Sequence, residues 1–356
     1  MSLDAPEAPT TRATFAHALA AARAALQRGA DLVATDSTGA RVGRYVGLIV
    51  GFLLLVEVVF HQSPANLIEG FALGSLYGIM GVGLVLIYRT TRVINFATAA
   101  IGALPSIVAL LLVVEYHANY LAVLPIALIG GPLFGALTDI ALMRRFATAP
   151  RLIVTVLTIG VAQTFGVFSF FIPVWMGQKA TGTSLVPTPW QHFAIHNNRG
   201  QPVLSGNQIA AIVVEIVVTA GLVLLLRRTR IGLALRASAE NADRAALLGI
   251  PVRWLGTVAW ALAGLLSALA IFVQAPLIGV PSDASLGFDT LLYGLAAAVV
   301  ARFNSIGLAL GAGAGAGILV FASVQSTGSS DVGSATMFVV IMIALLVQRG
   351  SISRAF

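Results

Sequence analysis

The sequence contains no cysteine and only one lysine, Lys179, in 356 residues. Without cysteine there are no disulfides, no thiol nucleophile and no iron–sulfur ligands. Charge is scarce as well. Asp, Glu, Lys and Arg make up 10% of the chain, well under half the roughly 25% usual in soluble globular proteins. The shortage of lysine has a chemical consequence. A P-loop places a lysine on nucleotide phosphates within GxxxxGK followed by Ser or Thr, whereas Lys179 runs into ATGTSL with no glycine pattern before it. The chain therefore supplies no Walker-type ATPase site, and any ATP-driven step requires another polypeptide. No Ser/His/Asp constellation stands out, and His61, His117, His192 and His196 have no metal-ligand spacing. No catalytic residue, metal or cofactor is assigned.

What fills the chain instead is apolar sequence, at 58% of residues. Blocks of Leu, Val, Ile, Ala and Gly recur at about 20 residues, the length of a membrane-crossing helix. A closed barrel requires short alternating strands, and these blocks do not alternate. The expected fold class is an all-α polytopic membrane protein of about ten transmembrane helices. The candidate spans are 44–61, 66–87, 98–114, 121–143, 152–174, 209–226, 256–274, 288–301, 306–324 and 335–348. The first starts too deep in the chain for a cleavable signal peptide. The weakest are 288–301, which is short, and its neighbour 306–324. Arg302 and Asn304 interrupt the apolar run between them, and a re-entrant or broken helix is one reading there.

The longest polar interruption in the second half is 227–253, with Arg227, Arg228, Arg230, Arg236, Arg244 and Arg253. Short loops rich in arginine stay in the cytoplasm. Counting spans outward from this loop places 19 of the 21 basic residues on that side, leaving only Lys179 and Arg199 outside. The net charge of +7 is thus a topological pattern and not a nucleic-acid surface. The expected organisation is a cytoplasmic tail at 1–43, a transmembrane domain at 44–348 and a short cytoplasmic tail at 349–356. Within the domain, 227–255 is a cytoplasmic coupling loop and 175–208 an outer loop. In the first tail, the Ala-rich stretch 10–27 with Arg12, Arg23 and Arg28 reads as an amphipathic helix on anionic lipid or as a plain tail, and 36–43 as a linker.

Glycines at spacing four, Gly70/Gly74/Gly78 and Gly307/Gly311/Gly315 with Gly313 and Gly317 beside them, suit close helix packing. Lining a substrate path is the other reading. Among ionisable residues in spans, Glu57, Glu69, Asp139 and Asp289 lie near ends, where anchoring or local pairing is expected. Glu215 lies deeper and is either a substrate or proton contact or a hydrogen bond to a neighbouring helix. In the arginine loop, Ser238 or Asn241 is placed to cap a short helix, with Glu240 and Asp243 at its positive end and Gly249 at its C-terminus before Pro251. Ala245, Ala246, Leu247 and Leu248 give that helix an apolar side, suited to a soluble partner or to lying on lipid.

At this loop the chain resembles the permeases of branched-chain amino acid ABC importers. The matching stretch is TRIGLALRASAENADRAALLGI at residues 229–250. A second match is GFALGSLYGIMGVGLVLIYRTTRVINFATAA at 70–100, and a weaker third is RRFATAPRLIVTVLTIGVAQ at 144–163. The resemblance implies a ten-helix subunit of a bacterial cell membrane. Its partners would be a second homologous permease, two cytoplasmic ATPases that bind the ATP, an extracytoplasmic solute-binding protein and membrane lipid. The coupling helix would enter an ATPase groove through Glu240, Asn241, Asp243, Arg244, Ala245, Ala246, Leu248 and Gly249, and ATPase closure would rock the bundle around a midplane cavity. Tyr77, Asn95 and Glu215 are the substrate-pathway candidates, and Tyr77 and Asn95 read equally as structural hydrogen-bond formers. The chain departs from the family pattern at Ala97, Thr98, Ala99 and Ala100, where a His and a Glu are lost, and at 300–305. The carried solute stays open between small amino acids and the urea and short-amide branch, and a stand-alone channel or secondary transporter is the competing class.

Overall fold

The computed structural model describes residues 38–177, 183–196, 202–281 and 286–352. The amphipathic stretch 10–27, Lys179 and Arg199 lie outside them. Contacts divide the chain into two units, 1–61 and 62–356. The described part of the first is one helix, α1 (Thr38–Phe60). It begins inside the stretch expected as a linker. Arg41 and Arg44 are good helix formers, and residues 38–43 contain no proline to stop the helix from continuing back from the apolar run.

The second unit is a helical bundle. Its helices are α2 (Pro64–Thr91), α3 (Thr98–Val114), α4 (Tyr120–Ala141), α5 (Arg151–Trp175), α6 (Gly206–Arg228), α7 (Arg230–Glu240), α8 (Ala242–Leu247), α9 (Val252–Ile278), α10 (Leu286–Val300), α11 (Ile306–Thr327) and α12 (Ser330–Ile352). Each of the ten expected spans falls on a helix. Among the described residues seven are long and apolar enough to cross a membrane, while α3, α10 and the apolar part of α1 are shorter.

Helix α2 is the axis of this bundle. Its most apolar window is 94% buried, against 11% in α12. A helix apolar all round belongs in an interior, and α2 is wrapped by α3, α6, α9, α10 and α11. The exposed leucines, valines and phenylalanines instead gather on α4, α5, α6 and α12, the sides that face lipid or another subunit. Gly74 and Gly78 make the closest approach possible. A Cβ on Gly74 would stand 2.6 Å from the carbonyl oxygens of Gly313 and Ala314, and one on Gly78 2.9 Å from Leu310 O. Gly313 and Gly317 meet Gly78 and Gly74 in return. In lipid no hydrophobic effect separates helices, so this backbone-on-backbone fit is the main attraction available. The second glycine stripe differs from its expected use: Gly307 and Gly311 face open space.

The interruption at 301–305 is a tight turn between α10, at 15 residues shorter than the spanning helices, and the full-length α11. Arg302 (φ 54°) and Phe303 (φ 51°) adopt left-handed backbone, at about 1–2 kcal/mol per residue. Phe303 N donates to Ala298 O at 2.9 Å, the Phe303 ring packs 4.8 Å from that of Tyr88, and Ser305 caps α11. The described parts of the loop expected outside, 183–196 and 202–208, also hold more order than their sequence suggested. Strands β2 (Ala194–His196) and β3 (Pro202–Ser205) pair antiparallel, and β1 (Thr183–Ser184) pairs with β4 (Val280–Pro281). Trp190 meets Tyr120 edge-on at 5.6 Å, and Asn207 Nδ2 donates to Pro276 O at 3.1 Å, fastening the loop to the ends of α4 and α9.

Candidate functional site: the helical loop between α6 and α9

The loop is a stem and a tip. Thr229 ends α6 and starts α7, its hydroxyl donating to Leu225 O (2.6 Å) and accepting from Gly232 N (3.0 Å). Gly232 is buried on Leu225 and Leu226, so α7 folds back tightly on the helix it leaves. Its amphipathic sequence buries Leu235, Ser238 and Ala239 and exposes Arg236 and Glu240. At its far end the Arg92 guanidinium donates to Ala239 O at 2.9 Å. A cation thereby covers a carbonyl at the negative end of the α7 dipole and ties the stem to the end of α2.

Asn241 divides the loop. Its extended backbone (φ −154°, ψ 105°) stops α7, and its Oδ1 accepts from Arg244 N at 2.9 Å to start α8. Of the two caps expected, Ser238 and Asn241, it is Asn241 that starts the short helix. Ser238 is buried inside α7, and Glu240 is the last residue of α7 and not the first of the coupling helix. The tip proper is Asp243, Arg244, Ala245, Ala246, Leu247 and Leu248, closed by Gly249 at φ 81°, a backbone conformation costly to side-chain-bearing residues. Ala245 is buried, whereas Leu247 and Leu248 are 88% and 81% exposed. Burying such a leucine stabilises by about 1.5–3 kcal/mol, a gain left unrealised at the tip.

Where the loop re-enters the bundle it is anchored. Buried Asp139 accepts from Thr257 Oγ1 of α9 and pairs with Arg144 Nε at 3.3 Å, while Arg144 also donates to Thr257. This is the local pairing expected for Asp139, now seen to join α4 to the start of α9. Short, hydrogen-bonded connections thus link the loop to α6, α2 and α9.

The three substrate-pathway candidates do not form one site. Tyr77 is buried with its ring 4.7 Å from Tyr293, toward α10. Glu215 lies against Ser75 of α2, and residues two apart on a helix point about 200° apart. Glu215 and Tyr77 therefore occupy opposite sides of α2. Asn95 lies beyond the end of α2, and that end is itself about 21 Å along the axis from Tyr77. Its Oδ1 accepts from Ala97 N (2.8 Å) and its carbonyl from Thr98 Oγ1 (3.2 Å), so it shapes the turn into α3. A polar cluster was not anticipated around Tyr293. Ser334 Oγ is 3.4 Å from Tyr293 Oη and donates to Asp289 Oδ1 at 3.4 Å, beside buried Thr290, whose hydroxyl donates to Gln274 Oε1 at 3.1 Å. Asp289 alone was visible in sequence, as an end residue; its partners are drawn from helices remote in the chain.

A cavity of about 410 Å³ lies beside the stem. Its walls come from the ends of α2 (Leu86, Arg89, Thr90) and α6 (Thr219, Val223, Leu226, Arg227), from α7 (Leu235, Arg236, Ala239) and from the start of α11 (Ile306, Gly307, Leu310).

A buried axial helix, apolar outer helices and one anchored helical loop define a multi-pass membrane protein. Residues 66–348 match the family described as branched-chain amino acid transport system / permease component, and the chain belongs to that family. It is similar to the probable branched-chain amino acid transport permease protein LivH of Methanocaldococcus jannaschii, 29% identical over 210 residues, covering 57% of this chain and 64% of that one. It is similar also to the high-affinity branched-chain amino acid transport system permease protein BraD of Pseudomonas aeruginosa, 26% identical over 279 residues, covering 74% of this chain and 88% of the relative.

Proposed function

We propose that this chain is the permease subunit of an ATP-driven importer of the bacterial cell membrane, moving branched-chain or related small amino acids inward. The observation that carries the reading is the tip of the helical loop. Two adjacent leucines, Leu247 and Leu248, stand almost fully exposed on a short capped helix whose stem is fixed by Arg92 and whose exit is fixed by Asp139, Arg144 and Thr257. An apolar tip on a rigid mount suits docking into a groove of a soluble partner. Family membership and the names of the two relatives support an ATPase as that partner, together with a second permease and a binding protein. On the positive-inside orientation the tip faces the cytoplasm. ATPase closure on nucleotide would then push α8, and the stem would carry the motion to α2 and α9.

Replacing Ala246 with Arg, or Leu247 and Leu248 together with Asp, is expected to abolish co-purification of the ATPases while membrane insertion stays normal. ATPases that co-purify as well as with the unaltered chain would refute the docking role. Urea or a short amide is the second reading for the solute, because Ala97, Thr98, Ala99 and Ala100, where two polar family groups are missing, depart from the family pattern. Binding-protein affinity for leucine, urea and short amides separates the two: tight leucine binding supports the amino acid reading, and urea or amide binding alone overturns it.

A further inference from the structure

We infer that the cavity beside the stem is a binding site for the headgroup of an anionic phospholipid. Arg89, Arg227 and Arg236 line it, and among the described residues no carboxylate does. None of the three makes an ion pair or hydrogen bond among the described residues, unlike Arg92, which donates to Ala239 O of the cavity wall. Three arginines on the wall of one cavity, from α2, α6 and α7, concentrate positive charge that an anion would offset, and guanidinium matches phosphate oxygens in geometry.

The cavity has a second chemistry at its other end. From Arg227 it runs about 12 Å up α6 to Thr219, whose hydroxyl is buried without a hydrogen-bond partner. Between the two, Val223 of α6 and Ile306 of α11 supply apolar wall. A free phosphate would use only the arginines. A cationic rim leading into an apolar throat fits a phosphate that carries an acyl chain, with methylenes along the wall and an ester oxygen within reach of a hydroxyl. Basic pockets between membrane helices hold lipid headgroups in this way. Gly307 lines the cavity, and a Cβ there would meet nothing within 4 Å, so a bulky side chain at this position has room to enter the throat. The site requires only that the arginine-rich end of the bundle lie at a headgroup layer, so it stands independently of the solute carried and of any ATPase. Because Arg236 is on the stem and Arg89 on the axial helix, a bound lipid would join the two.

The test is native mass spectrometry of the full chain released from neutral detergent, with phosphatidylglycerol, phosphatidylcholine or inorganic phosphate as probes. The unaltered chain is expected to retain phosphatidylglycerol over phosphatidylcholine. Arg89→Gln with Arg236→Gln should cut that retention by on the order of tenfold. Gly307→Phe, which fills the throat and leaves every arginine in place, should cut it as well. Equal retention of the two lipids by the unaltered chain overturns the site. Loss in the arginine variant with full retention in Gly307→Phe also overturns it, showing diffuse surface charge. Displacement of the lipid by millimolar inorganic phosphate reduces the site to one for small anions. Gly307→Phe leaves every arginine in place and so stays decisive if the arginine variant misfolds; Val223→Trp, which narrows the same throat, replaces it if Gly307→Phe misfolds.

Discussion

Gly74 and Gly311 are both glycines in apolar helices, yet their surroundings make them opposites. Gly74 is pressed on the α11 backbone, with carbonyl oxygens 2.6 Å from where a Cβ would be, and Gly311 looks into open space. Valine at 74 would force α2 and α11 apart at their closest contact. A cost of about 1–3 kcal/mol is expected from overpacking, with no relief available from a backbone neighbour. Alanine at 311 should instead stabilise by up to about 1 kcal/mol, the helix-propensity difference. Unfolding of both variants in one detergent checks the pair; equal effects would mean that the two stripes pack alike. The spacing of four identified both stripes as packing candidates, and it could not choose between them. What decides is the alternating Gly-Ala run at 311–317, in which Gly313 and Gly317 face α2 and Gly311 does not.

Among the elements, α8 depends most on local chemistry. A six-residue helix has no stability of its own, so its caps and its single buried residue, Ala245, hold it. Asn241→Ala removes the hydrogen bond to Arg244 N and is expected to cost about 1 kcal/mol. Amide exchange at 244–248 should then speed up about fivefold, with α7 unaffected. Unchanged exchange would show that α8 is held by tertiary contact instead. The ends of this helix were legible because Asn and Gly-before-Pro are punctuation by residue type. Its separation from α7 was not, because Ser238 and Asn241 are equally good caps on paper. The choice is made by burial of Ser238 and by Arg92, 147 positions away from Ala239 in sequence, which covers the end of α7. The polar cluster of Asp289, Tyr293, Ser334, Thr290 and Gln274 was hidden for the same reason: it is assembled across helices, and no local pattern encodes it.

For the whole molecule, apolar run length placed all ten spans on helices, since lipid leaves the backbone few alternatives. The axial position of α2 was implicit in its even apolar composition, without any polar face to turn outward. The outer loop's strands were obscured by short length and mixed composition. Orientation and docking come together in one experiment, made clean by the absence of native cysteine. Leu248→Cys and Leu185→Cys each place a single thiol at a highly exposed site, 81% and 83% accessible in the native leucines, on the helical loop and the outer loop respectively. Labelling with a membrane-impermeant maleimide is measured in whole cells and in inverted vesicles, with and without co-expressed ATPases. The account predicts that the thiol at 248 reacts only in inverted vesicles and is protected when the ATPases are present, while the thiol at 185 reacts from outside in either case. Reaction at 248 from the cell exterior, or at an equal rate with the ATPases bound, would contradict it.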